Sequence, residues 1–184
     1  IFSALLAGNT VVLKTSEVTP AVGVMLEKLF KSLSELAPFV RVVHGDGKVG
    51  AALTNSKPDY IFVTGSTVTG KKIMQTAAEN LIPVTLELGS KDAAIVLEDA
   101  DIDSAARWIT WGAHFNSGQT CVAVERVYVV ESKYDEFVQA AVKYTEKIQS
   151  GFTLETNSPY SMGPITDPRQ IQIIDEHVTD AVAN

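Results

Sequence analysis

Short runs of consecutive apolar residues recur along the chain, separated by stretches whose apolar side chains return every third or fourth position. Such strands, apolar on both faces, must be covered on both sides by helices, which predicts an α/β fold with a doubly wound parallel sheet. Thr10 to Leu13 is the first strand. Thr19 and Pro20 then give an N-cap followed by proline at the first helical position, and Val22, Met25, Leu26, Leu29 and Leu33 form one apolar stripe behind them. Phe39 to Val43 is the second strand, followed by a glycine-rich turn at Gly45, Gly47 and Gly50. Tyr60 to Val63 is a third strand, and Val68 to Asn80 a helix broken by Leu81, Ile82 and Pro83. The order reads β-α-β-α-β. Ligands of such sheets sit at the carboxyl ends of strands, so the loops after Leu13 and Val63 are the places to look.

Val84 to Leu88 alternates, with Val84, Leu86 and Leu88 on one face and Thr85 and Glu87 on the other. Near Gly89 the pattern changes, marking a boundary between two lobes. Beyond it come a strand at Ala93 to Leu97, a helix from about Asp103 to Phe115, a strand at Arg126 to Val130, a helix over Tyr134 to Val142, and a last helix from Pro168 past Val178.

Composition narrows the function. The 184 residues are 46% hydrophobic and 20% charged with a net charge of −7, which excludes disorder and removes the basic surface that a nucleic-acid partner requires. The single cysteine, Cys121, cannot form an internal disulfide. No apolar run reaches the ~18 residues of a membrane span, and the apolar start at Ile1 to Ala7 lacks the basic flank of a signal peptide. A soluble, cytoplasmic protein is expected. The start at Ile1 and the stop at Asn184, inside a helical stretch, predict part of a longer chain.

Four constellations carry candidate chemistry. Gly65, Ser66, Thr67, Val68, Thr69 and Gly70 lie between a strand and a helix, where glycines admit an anion and the helix start offers unpaired amides. The same residues also suit an ordinary turn with an N-cap serine. With Lys71 they imitate a Walker A loop, and Ala94 to Asp99 imitates a Walker B strand, but Lys72 stands where a magnesium-binding hydroxyl is needed. Lys14 and Glu17, after the first strand, suit ribose hydroxyls; a carboxylate accepts from a 2′-hydroxyl and repels a 2′-phosphate, which favours NAD over NADP. A solvated ion pair is the alternative. Cys121 follows a Gly-Gln-Thr break, where neighbouring amides can face an oxyanion, although most lone cysteines are inert. Glu87 either faces solvent or sits in a pocket that raises its pKa toward that of a general base. His44, His114 and His177 lack ligand spacing, so no metal site is expected.

In this order the segments resemble the aldehyde dehydrogenase superfamily. The matching stretches run from Ala4 to Lys14, from Thr64 to Gly70, from Leu86 to Gly89, and from Phe115 through Cys121 to Arg126. The resemblance implies that residues 1–88 are the later half of an NAD(P)-binding Rossmann-like domain and residues 89–184 the first part of a catalytic domain. It implies that Lys14 and Glu17 hold the adenosine ribose, with Gly47 and Gly50 on the adenine side. Gly65, Ser66, Thr69 and Gly70 lie beside the pyrophosphate, with Leu88 also at the cofactor. Cys121 is then the nucleophile and Glu87 the base in oxidation of a small-molecule aldehyde substrate to a carboxylic acid, by the hydrolytic rather than the coenzyme A-acylating branch. A homodimer or homotetramer is implied for the whole protein.

Ser90 departs from the family's second glycine, and Thr120 is a tolerated residue before the nucleophile. The family's oxyanion-stabilising asparagine and its Glu-x-Phe-Gly-Pro motif fall outside these residues, so the isolated chain is expected to be inactive. A nucleotide-hydrolysing P-loop domain and a non-catalytic member of the same fold are the competing readings.

Overall fold

The computed structural model describes all 184 residues. The elements are α1 (Phe2–Leu6), β1 (Val11–Lys14), α2 (Pro20–Ser32), β2 (Val40–Val43), α3 (Gly47–Asn55), β3 (Ile61–Thr64), α4 (Thr67–Ala78), β4 (Val84–Glu87), β5 (Ala93–Val96), α5 (Ile102–His114), β6 (Arg126–Val129), α6 (Tyr134–Thr145) and α7 (Arg169–Ala183). They form two compact units, Ile1–Leu88 and Gly89–Asn184. None of the helices is long and apolar enough to cross a membrane.

Every strand pair is parallel. In the first unit β1 pairs with β2, from Val11 opposite Val40 to Lys14 opposite Val43, and β3 pairs with β4, from Ile61 opposite Val84 to Thr64 opposite Glu87. In the second unit β5 pairs with β6. The expected doubly wound sheet is therefore present as three separate two-stranded parallel sheets. Each is one β-α-β crossover, because a parallel partner can be reached only by carrying the chain back over the sheet. The strands are not covered on both sides, because Val12, Phe62 and Ile95 are each more than half exposed; an apolar run reports strand character, not what covers the strand or which strand lies beside it.

One local expectation is corrected. Gly47 and Gly50 do not form a turn; they lie in α3, whose start is capped by Asp46 accepting from the Lys48 amide at 2.9 Å. The helix-forming run Ala51-Ala52-Leu53 outweighs the two glycines, and only Gly45, at φ +139°, takes a backbone that side chains resist. Thr19 occupies the N-cap of α2 without a side-chain hydrogen bond, so Pro20 alone supplies the local start signal. The apolar N-terminus folds as α1, which lacks the polar positions that reveal a helical face.

The core of the first unit is Phe30, Val40 and Val42, with Leu5 and Leu13 packed on it. Gly23 lets α2 approach the strand ends: a Cβ there would strike the Thr15 hydroxyl and lie 3.1 Å from His44 Nδ1. His44 Nε2 in turn meets Glu27 Oε2 at 2.8 Å, while Lys31 Nζ donates to Glu27 Oε1 at 2.5 Å. In the second unit, Val96, Ile102, Ala106 and Phe137 are buried where α5 and α6 pack together over β5 and β6. Asp101 caps α5 by accepting from the Ser104 amide at 3.0 Å. The Tyr144 hydroxyl donates to Asp103 at 2.8 Å, and that carboxylate pushes the phenol's pKa up.

Phe137→Ala removes the largest buried side chain shared by α5 and α6. It should lower the unfolding free energy of the second unit by about 3 kcal/mol or more, read from denaturant curves monitored at Trp108 and Trp111; an unchanged midpoint would contradict this packing. Lys31 first, and then His44, hold Glu27 down from its ordinary 4.5 to about 2. A lowered carboxyl pKa stabilises the fold above the unfolded value, and that contribution disappears as pH falls from about 4.5 toward 2. Carbon NMR of Glu27 should give a midpoint near 2, moving up toward the ordinary value in Lys31→Met.

Candidate active site

The carboxyl end of the β1–β2 pair gathers the first group. Lys14 Nζ and Glu17 Oε2 are 2.8 Å apart, with the lysine side chain 19% exposed. The lysine stem crosses Gly50, where an added Cβ would lie 3.9 Å from Lys14 Cδ. Gly47, the first residue of α3, has open space above it. The structure thus brings Lys14, Glu17 and Gly50 together and leaves a clear face at Gly47.

The carboxyl end of the β3–β4 pair carries the second group. The Gly65 amide donates to Glu87 O at 3.0 Å, which extends the ladder by one residue. Ser66 caps α4, its Oγ accepting from the Thr69 amide at 3.2 Å and donating to Thr69 Oγ1 at 3.0 Å. Thr67 and Val68 are left as orphan amides of the first turn, and nothing lies within 4 Å of a Cβ placed on Gly65. The loop is a serine-capped turn with open space at Gly65 before the helix start. Gly70 is buried beneath Leu88, whose Cδ2 and Cδ1 would be 2.8 and 3.0 Å from an added Cβ. Glycine there permits close packing of α4.

The Walker A imitation does not survive this geometry. Since α4 begins at Thr67, Gly70 and Lys71 lie within the helix instead of wrapping a phosphate ahead of it. The strand that imitated Walker B, β5, is laddered to β6 in the other unit.

Glu87 is the last residue of β4, and its side chain faces solvent without a hydrogen-bond partner. Gly89 beyond it is also uncrowded. Ser90 donates to Asp92, and Lys91 pairs with Glu125, at the start of the second unit.

Cys121 is a free, exposed thiol. After α5 the backbone enters the left-handed region at Asn116 (φ 52°), Ser117 (φ 61°) and Gly118 (φ 72°). Cys121 then sits in a tight turn closed by the Ala123 amide on Thr120 O at 3.0 Å, with Ala123 buried. The turn is tied back to α5 by the Val124 amide on Gly112 O at 3.3 Å. The Cys121 amide itself has no acceptor within the chain, which leaves it available to a developing oxyanion.

Sequence reasoning missed Gln119. Its Nε2 donates to Asn116 O at 2.9 Å and to Pro164 O at 3.4 Å, while its Oε1 accepts from the Thr166 amide at 2.7 Å. A polar residue two positions before the thiol is a local cue, but partners more than forty residues onward leave no sequence pattern. None of the histidines belongs to a group able to hold a metal ion: His44 meets Glu27, His114 Nδ1 lies 2.8 Å from Thr110 O, and His177 is on α7.

Comparison with known proteins shows the family. The model of the aldehyde dehydrogenase family matches residues 1–184. The chain is 43% identical over 184 residues to a 4,4′-diapolycopene aldehyde oxidase of Methylomonas sp, covering 100% of this chain and 34% of the relative. It is 39% identical to lactaldehyde dehydrogenase of Escherichia coli, covering 97% of this chain and 38% of the relative. The structure of the Escherichia coli lactaldehyde dehydrogenase superposes with a TM-score of 0.92 over 98% of this chain and 38% of that one, at 38% identity. A 3,6-anhydro-L-galactose dehydrogenase, solved in complex with NADP, superposes with a TM-score of 0.89 at 34% identity, covering 98% of this chain and 38% of that one. The chain spans a little over a third of the length of these relatives, and it belongs to the aldehyde dehydrogenase family.

Proposed function

We propose that the chain supplies the ribose and pyrophosphate contacts, the nucleophile and the base of an NAD(P)-dependent aldehyde dehydrogenase that forms a carboxylic acid. Residues 1–88 serve the cofactor and residues 89–184 open the catalytic domain. The observation that carries this reading is Cys121, exposed in a tight turn with its own amide unpaired. That arrangement suits a thiolate adding to a carbonyl while the adjacent N–H receives the negative oxygen.

A dinucleotide fits the first unit. The α4 start offers the amides of Thr67 and Val68, capped by neutral Ser66, to a pyrophosphate approaching over open Gly65. Lys14 and Glu17 offer a donor and an acceptor for ribose hydroxyls, with Gly50 and Gly47 leaving room toward the adenine. Gly70 and Leu88 pack together and hold α4 against the end of β4. NAD(P)+ supplies the hydride acceptor when bound.

The chain's own residues do the rest. Cys121 Sγ bonds to the aldehyde carbon, giving a thiohemiacetal; loss of hydride from that carbon leaves a thioester on Cys121. Glu87, solvent-facing and unpaired, takes a proton from water, whose oxygen attacks the thioester and releases the acid and the thiol. Glu17 favours NAD by accepting from a 2′-hydroxyl and repelling a 2′-phosphate.

In the whole protein, Cys121→Ser should lower NADH production from a panel of aldehydes by about a thousandfold or more. Glu87→Gln should pass one equivalent of hydride and then stall as a thioester that acid quenching recovers, with steady turnover down about a hundredfold. Full activity in both variants would leave only a shared fold. Glu17→Gln should raise the NADP+ to NAD+ ratio of kcat/KM by about tenfold, one screened charge contact of roughly 1.4 kcal/mol; an unchanged ratio would remove Glu17 from the ribose site.

A further inference from the structure

We propose that Gln119 is the positioning residue of the nucleophile, clamping the Cys121 turn to residues 163–166; this rests on the assignment of Cys121 above. Two non-glycine residues, Asn116 and Ser117, hold left-handed backbone in succession directly before the turn. Such backbone persists only where the surrounding contacts over-determine it, and here those contacts converge on Gln119. Its amide nitrogen bridges two carbonyls, Asn116 O at 2.9 Å and Pro164 O at 3.4 Å, and its oxygen takes the Thr166 amide at 2.7 Å. Asn116 returns a side-chain bond to Gln119 O at 3.1 Å, and the Gln119 amide donates to Asn116 O at 3.1 Å. Ser117 Oγ adds a second tie, to Gly163 O at 2.5 Å.

The thiol is thus held from both sides. Gln119 fixes the chain two residues before it, and buried Ala123 with the Val124 to Gly112 bond fixes the chain two and three residues after it. Only glutamine combines both polarities at this reach. A glutamate keeps the acceptor for Thr166 but presents a negative oxygen to the Asn116 and Pro164 carbonyls, and an alanine keeps nothing. Attack on a carbonyl demands a fixed direction for Sγ and its neighbouring amide, and a misplacement of about 1 Å costs on the order of a hundredfold in rate.

The test compares wild type, Gln119→Ala, Gln119→Glu and Cys121→Ser in the whole protein. Gln119→Ala should lower kcat tenfold or more, with NAD+ affinity and tryptophan fluorescence unchanged, and with faster hydrogen exchange at the Thr166 amide. Gln119→Glu should be impaired at neutral pH and recover relative to wild type at each lower pH, as the protonated acid again donates to a carbonyl. A wild-type kcat in Gln119→Ala overturns the clamp. If Gln119→Ala does not fold, Gln119→Glu decides, and absence of acid recovery relative to wild type overturns it. Retained turnover in Cys121→Ser would instead sink the nucleophile assignment, while Thr166 exchange would still report whether Gln119 holds the loop.

Discussion

A parallel strand pair is closed only by a helix that carries the chain back across it. That constraint organises both units. It puts the exits of paired strands on one edge, so Lys14 at the end of β1 and the Gly45 turn after β2 emerge side by side, as do Gly65 after β3 and Leu88 after β4. The groups assigned to the cofactor are these exits. Their proximity is a product of ladder register, with Lys14 opposite Val43 and Thr64 opposite Glu87, and needs no direct contact between the loops.

Helix starts then separate one exit from another. Asp46 caps α3 and Ser66 caps α4, and the two caps differ in charge. A carboxylate at the start of α3 already occupies the positive end of that helix, whereas neutral Ser66 leaves the α4 start to an incoming anion. Gly70 lets Leu88 close over the first turns of α4. This division supports a pyrophosphate at residues 65–69 and ribose contacts at Lys14 and Glu17.

The nucleophile segment depends on a different kind of support. No ladder or helix holds Cys121; its turn lies between left-handed residues on one side and a return to α5 on the other. Hydrogen bonds from Gln119 and Ser117 to residues 163–166 replace regular structure there. Irregular backbone suits a nucleophile because it leaves an amide unspent, and that same lack of regularity calls for a clamp supplied from elsewhere in the chain.

The strands, most helices and the positions of Lys14, Glu17, Gly65, Glu87 and Cys121 were legible from the sequence, because apolar periodicity and turn chemistry are local properties. The helix at Gly47–Asn55 was hidden by its two glycines, and α1 by its lack of polar contrast. Strand partnership, the burial of Gly70 under Leu88, the solvent-facing carboxylate of Glu87 and the reach of Gln119 to Thr166 were settled by tertiary structure. Each joins residues far apart in the chain or depends on what covers a side chain, and neither leaves a mark on neighbouring residues. The amino-acid sequence by itself determined which groups could do chemistry; the fold decided which of them are held, and by what.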